Sequence, residues 1–168
     1  MSNSVFYFSY GSNMSTRRLR ERVPSATKID IGILEEHELK FHKVGLKDGS
    51  AKCDVIATGK TTDYVYGVVF NIREEEKPLL DQIEGLGNGY EVKQVLIKLE
   101  NTSIIEAFTY CATNINRQLK PFDWYKEHVL KGAKEHNLPI QYIREIAAIE
   151  CIEDLDIERK EKELSIYR

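Results

Sequence analysis

The strand-like segments of this chain all end by residue 112 and its two long helical patterns both begin after residue 120. It therefore cannot fold as a regular alternation of strand and helix, and an α+β architecture is expected. Val5 to Tyr10 is short, aromatic and β-branched and stops at Gly11, which reads as a buried strand entering a turn. Ser15 is placed to cap a short basic helix through Arg17, Arg18, Leu19 and Arg22 that ends before Pro24. Ile29 to Phe41 and Cys53 to Thr58 read as further strands on either side of the turn-rich Gly45 to Ser50. Asp63 to Ile72 alternates, with Tyr64, Tyr66, Val68 and Phe70 on one face, as a half-buried strand should. Leu79, Leu80 and Ile83 have helical spacing behind three glutamates, with Gly85 as the stop and Pro78 limiting the helix upstream. Tyr90 to Leu99 and Ile104 to Ala112 form a hairpin around Asn101. Helices follow over Phe122 to His136 and Pro139 to Ile149, joined at Asn137-Leu138.

At 168 residues, 42% of them apolar, the chain suits one domain over 1–168, with a charge-dense segment from about residue 152. A chain of this length buries enough surface to need no stapling by disulfides or metal. The net charge of -3 argues against nucleic acid or an anionic membrane as the main partner and favours a small ligand. Cys53, Cys111 and Cys151 are too far apart for a C-x-x-C motif and odd in number, which fits cytoplasmic thiols. Val5-Phe6-Tyr7-Phe8 lacks a basic flank, so no signal peptide is expected, and no run is long enough for a membrane span. His37, His42, His128 and His136 form no ligand pair; they read as surface or helix-terminal residues, and no metal is implied.

Tyr10-Gly11-Ser12-Asn13 joins the first strand to a helix start, where free amides could hold a carboxylate; an ordinary strand-to-helix turn would use the same residues. Ser12 is a poor nucleophile candidate, since G-x-S-x-G is absent and no histidine is near in sequence. Glu84 ends a helix beside apolar Ile83, where burial and the helix dipole would disfavour its carboxylate and suit it to proton transfer; a solvated glutamate is the alternative. Asp81, three residues away, is the competing carboxylate. Gly85-Leu86-Gly87-Asn88-Gly89 follows a helix, lacks dinucleotide spacing and reads as a mobile turn. Tyr90, Tyr110, Tyr125 and Trp124 read as core or half-buried aromatics, and the tyrosine hydroxyls could orient a polar ligand at a pocket.

Tyr10-Gly11-Ser12-Asn13-Met14, Leu80-Asp81-Gln82-Ile83-Glu84-Gly85 and Tyr90 together resemble the γ-glutamylcyclotransferase family. The ordered similarity continues through Tyr66-Gly67-Val68-Val69-Phe70, Tyr110, Trp124-Tyr125, Gly132-Ala133 and Leu138-Pro139, covering roughly residues 5 to 150. It implies a small mixed-sheet β-barrel with flanking helices and release of a γ-glutamyl group as 5-oxoproline, without cofactor or metal. It places Glu84 as the acid/base and Tyr10, Gly11, Ser12 and Asn13 on the loop that holds the γ-glutamyl group. Tyr125 matches an aromatic position beside the ligand, and Tyr90 and Tyr110 match pocket-lining positions. The chain departs from the pattern at Lys52-Cys53-Asp54-Val55-Ile56-Ala57-Thr58 and at Pro121-Phe122-Asp123, which affects the leaving-group pocket. A cyclotransferase for γ-glutamyl-amines or ε-linked lysine is the nearest rival. A non-catalytic binding domain is another, disfavoured because a second negative charge gives a carboxylate pocket nothing. A homodimer is compatible with the sequence.

Overall fold

The computed structural model describes residues 3–168. Its strands are β1 (Ser4–Ser9), β2 (Thr27–Glu35), β3 (His37–Val44), β4 (Ala51–Ala57), β5 (Tyr64–Arg73), β6 (Tyr90–Leu99) and β7 (Ile104–Ala112). Its helices are α1 (Thr16–Arg22), α2 (Lys77–Glu84), α3 (Asp123–Glu135), α4 (Ile140–Ala148) and α5 (Ile157–Leu164). Five strands form a closed barrel in the order β1-β5-β2-β6-β7, while β3 and β4 make a separate two-stranded sheet. All barrel pairings are antiparallel except the closing one, where β1 meets β7 in parallel at Tyr7 and Phe108. Closure removes the exposed strand edges that invite aggregation. The expected mixed barrel with flanking helices is the observed fold.

The β3–β4 hairpin is tied to the barrel by backbone and side chain together. Val44 N donates to the Asn114 carbonyl (3.0 Å) and Asn116 N to the His42 carbonyl (2.8 Å). Buried Asp54 accepts from the Ala112 amide (2.7 Å) and from His42 Nε2 (2.7 Å).

Four sequence expectations change. Ile29 to Phe41 is two strands, broken at Glu36, whose φ of 58° turns the chain. The Glu36 carbonyl accepts from Thr58 N (2.8 Å), so a non-glycine residue is held there by the neighbouring loop and no local signal marks it. β5 is buried on both faces over its centre, since it pairs with β1 and β2 and lies beneath α4 through the Tyr66–Tyr142 contact; Tyr64 at its start is exposed. His42 and His128 are interior residues, neither surface nor helix-terminal. The charged end folds into α5, which Asp156 caps by accepting from Arg159 N.

α5 docks through a buried polar chain. His128, fully buried on α3, has Nδ1 at 2.7 Å from the Tyr167 hydroxyl, which donates to Ser15 Oγ (3.1 Å). Its Nε2 lies 3.1 Å from Arg18 and 3.2 Å from Glu163, which themselves pair at 2.7 Å. Desolvation by burial lowers the pKa of His128 to about 4, and Arg18 and His128 lower that of Glu163 to about 2 against its own desolvation.

Helix α3 approaches the segment after β1 so closely that Gly132 is the only residue type that fits. A Cβ there would stand 2.5 Å from Met14 Cβ and 2.5 Å from the Ser15 nitrogen. In an unobstructed helix, glycine to alanine stabilises by about 1 kcal/mol, whereas forcing a methyl against backbone costs about 1–3 kcal/mol. Gly132→Ala should therefore lower the melting temperature, and a raised one would refute the close contact. Because the folded pKa of His128 lies below its unfolded value, protonation favours unfolding and stability is lost as pH falls from about 6.5 towards 4. The melting temperature should drop across that window, and His128→Gln should flatten the drop; an unchanged slope would place the titrating group elsewhere.

Candidate active site

The strand β1 delivers Tyr10 to a bend at Gly11, followed by a single 3-10 turn over Ser12–Met14 and then α1, which Ser15 caps by accepting from Arg18 N. Met14 N and Ser15 N close that turn onto the Gly11 and Ser12 carbonyls. The amides of Gly11, Ser12 and Asn13 donate to no protein acceptor among the described residues. The loop is held from outside. Met14 is fully buried, its carbonyl accepts from His136 Nε2 (2.9 Å), and the Tyr10 hydroxyl donates to the Tyr110 carbonyl. Gly11 passes so near β4 that a Cβ would lie 3.0 Å from Cys53 Cβ.

Opposite the loop stands Glu84, the last residue of α2, which Gly85 terminates in the left-handed conformation as expected. Asn13 Nδ2 donates to Glu84 Oε1 (2.8 Å), and so does Arg22 NH1 (3.0 Å), which also donates to Asn13 Oδ1 (3.0 Å). Oε2 receives no hydrogen bond from the described residues. The sequence reading gave Glu84 an apolar helix-end setting. The helix end is found, but the neighbour of its carboxylate is a guanidinium from α1. Arg22 was one arginine among several on a short basic helix, and nothing in the local pattern separated it from the rest.

Between loop and glutamate lies a cavity of about 290 Å³, open mouth included, lined by Tyr10, Gly11, Ser12, Asn13, Glu84, Tyr90, Tyr110 and Tyr125. The eight residues that the family resemblance assigns to the site are thus brought together. Cys53, from the segment that departs from the family pattern, also lines it, and two residues were missed, Tyr7 and Ser9. Tyr7 and Ser9 belong to the strand read only as core, although its alternation puts both on one face. Ser9 Oγ is buried without a hydrogen-bond partner. Tyr7 accepts from Asn13 Nδ2 (3.2 Å).

The tyrosines frame the cavity through fixed bonds. Tyr90 donates to the Cys53 carbonyl (2.6 Å), and the Tyr125 oxygen accepts from the Cys53 amide (3.0 Å), so one β4 residue is gripped from β6 and α3. Burial pushes the hydroxyls of Tyr10, Tyr90 and Tyr125 well above the usual tyrosine range and the Cys53 thiol up to about 12. These groups stay protonated, and Cys53 is no thiolate nucleophile. Asp81 does not line the cavity. It accepts from Lys77 Nζ (2.8 and 3.0 Å) and from the Tyr110 hydroxyl (2.6 Å), which makes it a support for that tyrosine.

The site therefore offers backbone donors on one wall and a clamped carboxylate on the other. Residues 64–146 match the model of the AIG2-like family. Over 150 residues the chain is 33% identical to human γ-glutamylcyclotransferase, covering 88% of this chain and 79% of that protein, and 32% identical to the bovine one over the same extent. A solved γ-glutamyl cyclotransferase structure superposes with a TM-score of 0.84 at 28% identity, covering 95% of this chain and 99% of the other. Sequence similarity over this length, the shared barrel and the site agree that the chain belongs to the γ-glutamylcyclotransferase family of enzymes.

Proposed function

We propose that the chain cleaves γ-glutamyl amino acids or peptides by internal cyclisation, releasing 5-oxoproline and the free amine. The free amides of Gly11, Ser12 and Asn13 bind the substrate α-carboxylate, as unpaired main-chain donors do for anions. Glu84 receives the α-ammonium through Oε2 while Asn13 and Arg22 fix Oε1. The observation that carries this reading is that asymmetric clamp: one oxygen is held by the carboxylate-binding loop itself, so the two ends of the substrate α-carbon are recognised in one register.

Glu84 takes one proton from the ammonium, and the freed amine attacks the δ-carbonyl to form the ring C–N bond. The amide C–N bond then breaks. Of the three protons on the starting ammonium, one stays on the lactam nitrogen and two leave on the departing amine, with Glu84 as carrier. A folded conformer with amine and carbonyl in contact gains a large effective molarity, so positioning does much of the work. Buried tyrosine hydroxyls around the cavity limit water, which favours the amine over hydrolysis. The three free thiols suit a reducing, cytoplasmic setting.

Glu84→Gln keeps the shape and the Asn13 contact but cannot accept a proton, so turnover should fall by roughly 10²–10⁴-fold with the melting temperature little changed. Asp81→Asn should cost far less, since Asp81 acts only through Tyr110 and Lys77. 5-Oxoproline release from γ-glutamyl-alanine measures both. A reversed order would move the acid/base role to Asp81, and wild-type rates in both variants would end the proposal.

A further inference from the structure

Beyond the inner cavity, past Tyr90 and Tyr125, an outer groove of about 990 Å³ opens to solvent. Its charged lining is six basic side chains, Arg18, Arg22, Lys43, Lys47, Lys52 and Arg159, against three acidic ones, Asp48, Glu84 and Glu163. Four of the six already have a carboxylate partner: Arg18 with Glu163, Arg22 with Glu84, Lys52 with Asp48 and Arg159 with Asp154. Lys43 and the exposed Lys47 form no ion pair among the described residues.

Lys43 is the unusual one, because it is only 4% exposed. Lysine is almost never so buried unless its charge is paired. It sits beside a bulge in β3, with its backbone bridged to Lys52 on one side and to Ile115 on the other. Lys52 is compensated by Asp48 (2.7 Å) and Ser50 Oγ (2.7 Å). The Lys43 ammonium makes no hydrogen bond among the described residues; it lies 4.4 Å above the Tyr90 ring, the aromatic shared by cavity and groove. Burial lowers its pKa, and the charges of Glu84 and Asp48 oppose that shift. The fold thus keeps a lysine stem buried while its ammonium, without a hydrogen bond or ion pair, meets the Tyr90 ring and lines the same groove as Glu84.

With the glutamyl end in the inner cavity, the leaving amine projects into this groove; the inference rests on the cyclotransferase reading. We propose that Lys43 is the specificity-determining residue of the leaving-group subsite and that the preferred leaving amine is an acidic amino acid, whose side-chain carboxylate the Lys43 ammonium binds. Two cations without partners, one of them buried, match a leaving residue that carries a side-chain carboxylate besides its α-carboxylate. Neutral alkylamines offer this groove nothing.

γ-Glutamyl-glutamate and γ-glutamyl-glutamine share a shape and differ by one charge. The wild type should favour the first in kcat/KM by roughly ten- to hundredfold, the range of one charge-assisted hydrogen bond. Lys43→Met should abolish that ratio and Lys43→Arg should keep most of it. Equal rates in the wild type, or a ratio surviving in Lys43→Met, would overturn the assignment. Calorimetric binding of glutaryl-glutamate against glutaryl-glutamine, which lack the attacking amine, gives a second readout. If no γ-glutamyl compound is cyclised, the cyclotransferase reading fails. The Lys43 subsite then stands if wild type alone prefers the glutaryl-glutamate ligand, and falls if both proteins bind the two ligands alike.

Discussion

The backbone of residues 11–15 must be rigid while three of its amides remain unsatisfied, and much of the molecule serves that requirement. Unpaired amides are costly to bury and would be quenched by any local rearrangement into a longer helix. Three anchors prevent it. Gly132 lets α3 press on Met14 and Ser15, His136 takes the Met14 carbonyl, and Tyr10 reaches across to β7. The fourth contact, from Asn13 to Glu84, makes the same loop a ruler for the carboxylate opposite. In the proposed reaction, binding and proton transfer are therefore positioned by one segment, so that a shift of either wall would disturb both.

The barrel and the β3–β4 hairpin divide the labour. Strands β1, β6 and β7 carry Tyr7, Tyr90 and Tyr110 into the cavity and are locked by closure of the sheet. The hairpin lies outside the barrel and supplies Lys43, Lys52 and Cys53 to the wall of the cavity and the groove beyond it. It is gripped at Cys53 by two tyrosines and at Asp54 by the Ala112 amide. C-terminal α5 completes the outer groove with Arg159 and Glu163.

Much of this was legible in the residues. Strand boundaries at β6 and β7, the Ser15 cap and the Gly85 stop follow from local chemistry that tertiary structure had no reason to override. The site residues came together because they stand at ends of elements, where a turn or cap marks the chain. What stayed hidden depends on partners distant in sequence. Arg22 meets Glu84 across 62 positions, and Glu36 adopts its left-handed turn because Thr58 and Asp63 hold it. His128 is buried because α5, itself read only as a charged tail, brings Tyr167 and Glu163 to it. Lys43 had no signal at all, since a lysine on an irregular strand ordinarily faces water.

If the substrate's own amine, not water, is the nucleophile, neither product takes an oxygen from the solvent. Turnover of γ-glutamyl-alanine in ¹⁸O-labelled water, followed by mass spectrometry, tests it directly. Cyclisation gives unlabelled 5-oxoproline and alanine as the products. Glutamate carrying one solvent oxygen as the primary product would show hydrolysis and contradict it.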